Sequence, residues 1–299
     1  MQNTRQWMTP HEWMITGNKQ SEWIDNRGIL LWLAFYTGGL GGGLYLISLF
    51  FDNLIGMLVG WFIVAVLKGG LHFMYLGKPA RFWRLMMHPQ TSWLSRGLWF
   101  VLGFAGFGLI QIVTSIFFPE LTALILGLKI AAGIFALCVA TYTGFVLNNA
   151  KGVPYWNIPI LPLLFVACGV LGGFGLTVGI GIFSGSVNMA AAEMGSRIML
   201  MVNVFLIGLY MWVASRKEVV GKQSVLYQIS GSICPLFWTF VVILGMVIPA
   251  IIAVYSLFTG EATAVVLIIG VVCEIAGGAM LRYCVLKSGM YNPLVVKRS

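Results

Sequence analysis

Eight long apolar runs occupy most of the 299 residues, at about 28–50, 54–76, 97–118, 121–146, 158–183, 188–214, 232–258 and 262–286. A helix needs ~20 residues to cross the hydrocarbon core of a bilayer, and each run is long enough. Inside lipid every backbone N–H and C=O must be satisfied within the segment or by a closed barrel, so apolar runs of this length fold as helices. Only 9% of the residues are charged, against ~25% in soluble domains. An ordinary water-soluble enzyme is excluded, and so is a disordered chain. The sequence predicts an all-α fold: a polytopic membrane helix bundle of eight transmembrane helices, with both termini on the same side. A polar, aromatic tail fills 1–27, the transmembrane domain 28–286 carries an interfacial loop at 77–96, and a basic tail fills 287–299.

The basic residues fix an orientation. The tails and the second, fourth and sixth loops hold Arg5, Lys19, Arg27, Lys78, Arg81, Arg84, Arg96, Lys151, Arg216, Lys217, Lys222, Lys287, Lys297 and Arg298, whereas the other loops hold Asp52, Glu120 and Glu261 and no Lys or Arg. The positive-inside rule then places both termini of this multi-pass protein in the cytoplasm. These bases lie in short caps between apolar runs, which does not suit nucleic acid. The first 26 residues lack the basic start and apolar core of a signal peptide, so the first run is expected to insert on its own account.

Several motifs are absent. The cysteines (Cys138, Cys168, Cys234, Cys273, Cys284) form no CxxC and no ligand set for an iron–sulfur cluster, and read as small buried apolar residues. A bis-histidine haem needs two ligands at depth, but of His11, His72 and His88 only His72 lies in a span, so no haem is expected. The glycine-rich stretches 36–43, 172–175 and 277–280 follow no strand and read as places where helix backbones approach closely.

Ionisable groups at bilayer depth are costly and default to functional candidates. One group is Lys68, His72 and Glu274, with Arg282 near. Lys68 and His72 are four apart, so they share a helix face, and an ion pair between Lys68 and Glu274 would offset their desolvation. Tyr36 and Tyr142 reach the same half of the membrane. A quinone ring needs an apolar slot with a donor at each carbonyl and a proton-exchanging group near water, a task that suits histidine. The second group is Lys129, Glu193 and Arg197, in which Glu193 could bridge both bases as a proton path or as a structural triad.

The second loop packs Lys78, Arg81, Arg84, His88 and Arg96 among Phe82, Trp83, Trp93 and Trp99. This is an interfacial segment, its aromatics at headgroup level and its bases reaching lipid phosphate or a partner's carboxylates. The tail segment 7–14, with Trp23, is expected along the same interface. The run LGKPARFWRLMMHPQTSWLSRG (76–97) and the ending LRYCVLKSGMYNP (281–293) resemble the polysulfide reductase/NrfD family of membrane quinone-binding subunits. The resemblance extends over nearly the whole sequence. It implies a subunit without haem or iron–sulfur cluster that binds menaquinone or ubiquinone, as quinol or quinone, near the face where an iron–sulfur subunit docks. That partner exchanges electrons with a molybdopterin or tungstopterin catalytic subunit or a multihaem cytochrome. By the same resemblance, Tyr142 matches the family's fourth-helix tyrosine, Arg81, Arg84 and Arg96 serve docking or the pocket rim, and Tyr36 and Thr37 replace the polar pair of the family's first helix.

The leading functional reading is therefore a quinone-reactive subunit of a respiratory oxidoreductase complex, with no complete activity of its own. Its site would be Lys68, His72, Tyr142 and Glu274, with Tyr36 and Thr37 at the pocket and Lys78, Arg81, Arg84 and Arg96 at the docking face. A secondary transporter or ion-coupled exchanger would also use buried charges on glycine-interrupted helices. A passive membrane tether would keep the docking face and bind no quinone.

Overall fold

The computed structural model describes residue 15 and residues 17–259 and 263–293. The tail segment 7–14 lies outside the described residues, as do Arg5, His11, Gly260, Glu261, Lys297 and Arg298. Eight helices long and apolar enough to cross a membrane are present: α1 (Gly28–Phe50), α2 (Leu54–Tyr75), α3 (Trp93–Phe117), α4 (Thr122–Asn148), α5 (Ile160–Ser184), α6 (Met189–Lys217), α8 (Cys234–Thr259) and α9 (Ala264–Lys287). The protein is an all-α, multi-pass integral membrane bundle. A shorter helix, α7 (Val219–Ser230), fills the sixth loop. Hydropathy does not predict it, because its buried residues (Val220, Val225 and Leu226 among them) are interrupted by polar ones. The third span begins at Trp93 rather than 97 because the Ser92 hydroxyl accepts a hydrogen bond from the Ser95 N–H, capping the helix there.

The glycine distribution decides which helices are central. In the most apolar stretches of α1 and α5, 67% and 56% of residues are buried, against 17–33% in the other spans. The two cross through glycine: a Cβ on Gly43 would meet the backbone of Gly169, and one on Gly173 the backbone of Gly43. Around this crossing, α1 also packs on α2, α4 and α9, and α5 on α4, α6 and α9.

Both described ends of the protein lie on one face and are tied there. Strand β1 (Asn18–Lys19) pairs antiparallel with β2 (Met290–Tyr291), the one departure from an all-helical fold among the described residues. Lys287 pairs with Asp25, and the Trp156 indole donates to the Val285 carbonyl at 2.8 Å. Trp23 packs edge-on against Trp156 at 5.5 Å, so it braces the helix ends. Beneath them Tyr210 donates to the Tyr155 carbonyl (2.7 Å) and the Tyr155 hydroxyl to Gln228 (2.6 Å). Burial pushes the Tyr155 phenol above its ordinary range, which keeps it a neutral donor.

Two spans contain wide π-helical turns, at Ile63–Lys68 in α2 and Phe237–Val247 in α8. Such turns are rare and frequently mark functional sites. The first ends on Lys68. The second lies where Gly245 meets Gly277 of α9, backbone against backbone.

Candidate functional site

Lys68, at the end of the wide turn of α2, is buried and lies along Gly38 of α1. Its ammonium donates to the Tyr142 hydroxyl oxygen of α4 at 2.5 Å and to the Ala34 carbonyl of α1 at 3.3 Å. The Tyr142 ring is buried against Gly97 of α3. With its oxygen occupied by the ammonium, the phenol proton of Tyr142 is directed elsewhere as a donor. One turn after Lys68, His72 is half-buried, and its Nδ1 lies 3.2 Å from the Lys68 carbonyl. A carbonyl can only accept, so Nδ1 carries the hydrogen, and in the neutral ring Nε2 is left as an acceptor. Around Lys68, α2 thus presents one acceptor (His72 Nε2) and α4 one polarised donor (Tyr142).

The other expected members of this group are placed differently. Glu274 does not pair with Lys68. Its carboxylate accepts from the Ser196 hydroxyl of α6 at 3.1 Å, so a long lysine on α2 and a carboxylate on α9 are each held by nearer neighbours. The Tyr36 hydroxyl donates to the Ile275 carbonyl of α9 (2.7 Å), and the Thr37 hydroxyl to the Leu33 carbonyl (2.8 Å). Both hydroxyl protons are therefore held by backbone carbonyls of the bundle. Arg282 is buried and donates to the Phe35 and Tyr36 carbonyls of α1 and, at 2.8 Å, to that of Phe165 in α5. Its guanidinium fills the space beside Gly39, next to the glycine that Lys68 covers. Two cationic side chains thus lie on adjacent glycines of α1, and the hydrogen-bond acceptors they reach are neutral.

The expected bridge of Lys129, Glu193 and Arg197 is split. Arg197 pairs with Glu193 at 2.8 Å, one turn apart on α6, and Ser256 of α8 joins both, at 3.0 Å from Arg197 and 3.2 Å from Glu193. Lys129 lies on α4, on the other side of the bundle, where it pairs with Asp52 at 2.5 Å. The three residues share a similar depth in their spans, but the helix arrangement separates them. Asp52 adopts a left-handed backbone conformation (φ 50°) at the α1–α2 turn, and its carboxylate is largely exposed. Two clefts meet at Glu274. One, of about 50 Å³, is lined by Glu193, Ser196, Arg197 and Ser256. The other, of about 20 Å³, is lined by Cys168, Asn203, Gly278 and Leu281. Ser196, Asn203 and Ser256 escape a search confined to ionisable residues, although neutral polar side chains inside apolar runs are themselves a signal.

At the face that carries both described ends, Pro79–Met87 forms a 3-10 helix. With three residues per turn, Lys78, Arg81 and Arg84 fall in line, and all three are exposed. Arg96 is engaged differently: it donates to the Pro89 (2.7 Å) and Gln90 (2.6 Å) carbonyls and lies over the Trp93 ring, so it braces the loop. Among the described residues, no group of three or more His, Cys, Asp or Glu side chains could hold a metal ion.

The family described as "Polysulphide reductase, NrfD" matches residues 28–293. The C subunit of polysulfide reductase from Wolinella succinogenes is 26% identical over 172 residues, covering 54% of this protein and 53% of that one. Protein NrfD of Escherichia coli is 32% identical over 135 residues, covering 36% of this protein and 41% of that one. The aligned parts thus span about half or less of these relatives' length.

Proposed function

The chain belongs to the NrfD polysulphide reductase family as a membrane-embedded subunit, and from that premise we propose that it binds menaquinol or ubiquinol and exchanges electrons with a docked iron–sulfur subunit of a respiratory oxidoreductase complex. The observation that carries this reading is the contact of Lys68 with Tyr142, one turn from His72, in the half of the membrane next to the basic face. A quinol has two hydroxyls on an apolar ring. His72 Nε2 accepts the hydrogen bond, and then the proton, of one; Tyr142 donates to the other oxygen, held in place by Lys68. The bound quinone supplies the two-electron redox chemistry, and the side chains only bind, orient and move protons. Tyr36 and Thr37 contribute shape through α1, their hydroxyls being engaged by backbone.

A photoreactive quinone analogue tests the placement. It is expected to label the peptides that carry Lys68–His72 or Tyr142. Labelling confined to other helices overturns the site.

The partner reading rests on charge. Lys78, Arg81 and Arg84 form one exposed basic ridge, flanked by exposed Trp83 (51%) and Met87 (60%). Its field suits an acidic protein surface, and docking there keeps the electron path from the His72–Tyr142 group short. We place this face, with both termini, in the cytoplasm of a prokaryotic cell, and the catalytic subunit (molybdopterin or tungstopterin, or a multihaem cytochrome) beyond the iron–sulfur protein. Reversing the charge of Arg81 and Arg84 together is expected to weaken co-purification and to make the remaining complex more salt-sensitive. Unchanged assembly assigns docking to another face.

A further inference from the structure

We propose that the cavity beside the Asp52–Lys129 pair, between the ends of α2, α3 and α4, holds one aminophospholipid, with its phosphate on Lys129, its headgroup amine on Asp52 and its ester carbonyls on Gln111 and Ser115. This site is separate from the quinone group, since Lys129 and Tyr142 stand about 20 Å apart along α4.

The cavity measures about 320 Å³, against about 50 and 20 Å³ for the clefts at Glu274. Sites for small molecules run from ~300 to ~1,000 Å³. Its lining is partly polar although it lies between apolar spans. Gln111 of α3 is fully buried; its Oε1 accepts from the Tyr45 hydroxyl of α1 at 2.7 Å, and its Nε2 donates one hydrogen to Ser115 at 2.9 Å. The second Nε2 hydrogen and the hydroxyl hydrogen of Ser115 have no acceptor among the described residues. The Lys129 ammonium gives one of its three hydrogens to Asp52, and the other two are likewise without an acceptor there. Four donor hydrogens on three side chains thus belong to the lining of one cavity. A donor shielded from water is costly without an acceptor, so this lining suits an occupant rich in acceptor oxygens, as a phosphodiester with two esters is.

The acids at the rim select a zwitterion. The Asp52 side chain is 78% exposed beside Lys129, and Glu120 follows Pro119, which also lines the cavity. An anionic headgroup would be repelled by both acids. An ethanolamine headgroup brings an ammonium that donates to Asp52 while its phosphate accepts from Lys129. Choline carries the same charge but has no N–H to donate.

The wall distinguishes a lipid from a soluble amine phosphate. Leu54, Met57, Ile125 and Leu126 supply apolar surface inside the cavity. Leu126 also begins a row on α4 that continues through Ile130, Ile134 and Leu137, all exposed. Residues three and four apart share one helix face. The cavity therefore adjoins an apolar track about 16 Å long that runs into the bilayer, where an acyl chain can lie.

The test is lipid retention by the protein as purified from its membrane, stripped by detergent exchange and then given dioleoyl phosphatidylethanolamine, phosphatidylcholine or phosphatidylglycerol. Native mass spectrometry is expected to show one phosphatidylethanolamine held per chain, at least about tenfold more tightly than the other two, the worth of one hydrogen bond to a charged group. The thermal unfolding midpoint should rise with it. Lys129→Met is expected to weaken all three lipids, and Asp52→Asn to bring phosphatidylethanolamine down to the level of phosphatidylcholine. Should both variants fail to fold, a photoreactive phosphatidylethanolamine on the native protein decides, with label expected in 52–57 or 125–137. Equal retention of the three lipids, or label confined to other segments, overturns the site. So does an undiminished preference in the folded variants. Glycerophosphoethanolamine, which has no chains, raising the midpoint as far as the lipid does would make the occupant a soluble compound and overturn the lipid.

Discussion

Alanine at His72 should slow quinol oxidation by about 10²–10⁴-fold, the usual worth of a positioned general base. The reason lies in which nitrogen is free. The hydrogen on Nδ1 is committed to the Lys68 carbonyl, so the neutral ring offers Nε2 as an acceptor, and no other imidazole lies in a described span. Tyr142→Phe should have a smaller effect. It removes one hydroxyl and leaves the Lys68 ammonium without its 2.5 Å partner, a hydrogen bond to a charged group worth about 1.5–3 kcal/mol, or roughly 10- to 150-fold in rate. Part of that cost falls on stability, because a buried ammonium loses a ligand. Lys68→Met separates the contributions: Tyr142 keeps its phenol but loses the side chain that orients it, so turnover should fall with Tyr142→Phe and the double variant should be little worse than either single one. Steady-state quinol kinetics on complexes of verified assembly decide the matter. Native rates in the His72 and Tyr142 variants would move the site to the clefts around Glu274.

The number of spans and their approximate ends are legible in the sequence because lipid imposes a length and a hydropathy that no neighbouring helix can override. His72 and Lys68 can also be placed on one face, since four-residue spacing is a property of a single helix. Pairing between helices is not legible in the same way. Lys68 and Glu274 lie at compatible depths, yet α1 and α5 occupy the centre of the bundle, and each charge finds a nearer partner, Tyr142 for one and Ser196 for the other. Lys129 and Glu193 illustrate the same point: the acid that reaches Lys129 is Asp52, from the adjacent α1–α2 turn. Wide helical turns are invisible to a search at the 3.6-residue period, although they set where Lys68 ends up. Arg96 shows what a charge alone does not reveal: its guanidinium is held by two loop carbonyls and lies over an indole face.

Leucine at Gly43 is expected to prevent the bundle from forming, and alanine at the same position to destabilise it by at least about 1–3 kcal/mol, the range for overpacking a filled core. At most core positions a new methyl meets the end of a side chain that can turn away. At Gly43 it meets the backbone of Gly169, and the next turn of α5 offers the backbone of Gly173, so the only relief is to separate α1 from α5. Those are the two most buried helices, and they carry Phe35, Tyr36 and Phe165, whose carbonyls and rings set the position of Arg282. Separation therefore also loosens the neighbourhood of Lys68. Gly106 on α3 is the matched control, because a Cβ there meets nothing within 4 Å. Alanine at Gly106 should be neutral or stabilising by up to about 1 kcal/mol, since alanine is the better helix former. Thermal unfolding of the two alanine variants in the same detergent compares them directly. Equal midpoints for Gly43→Ala and Gly106→Ala would mean that α1 and α5 can part without loss, and the close crossing could not be what holds the two halves of the bundle together.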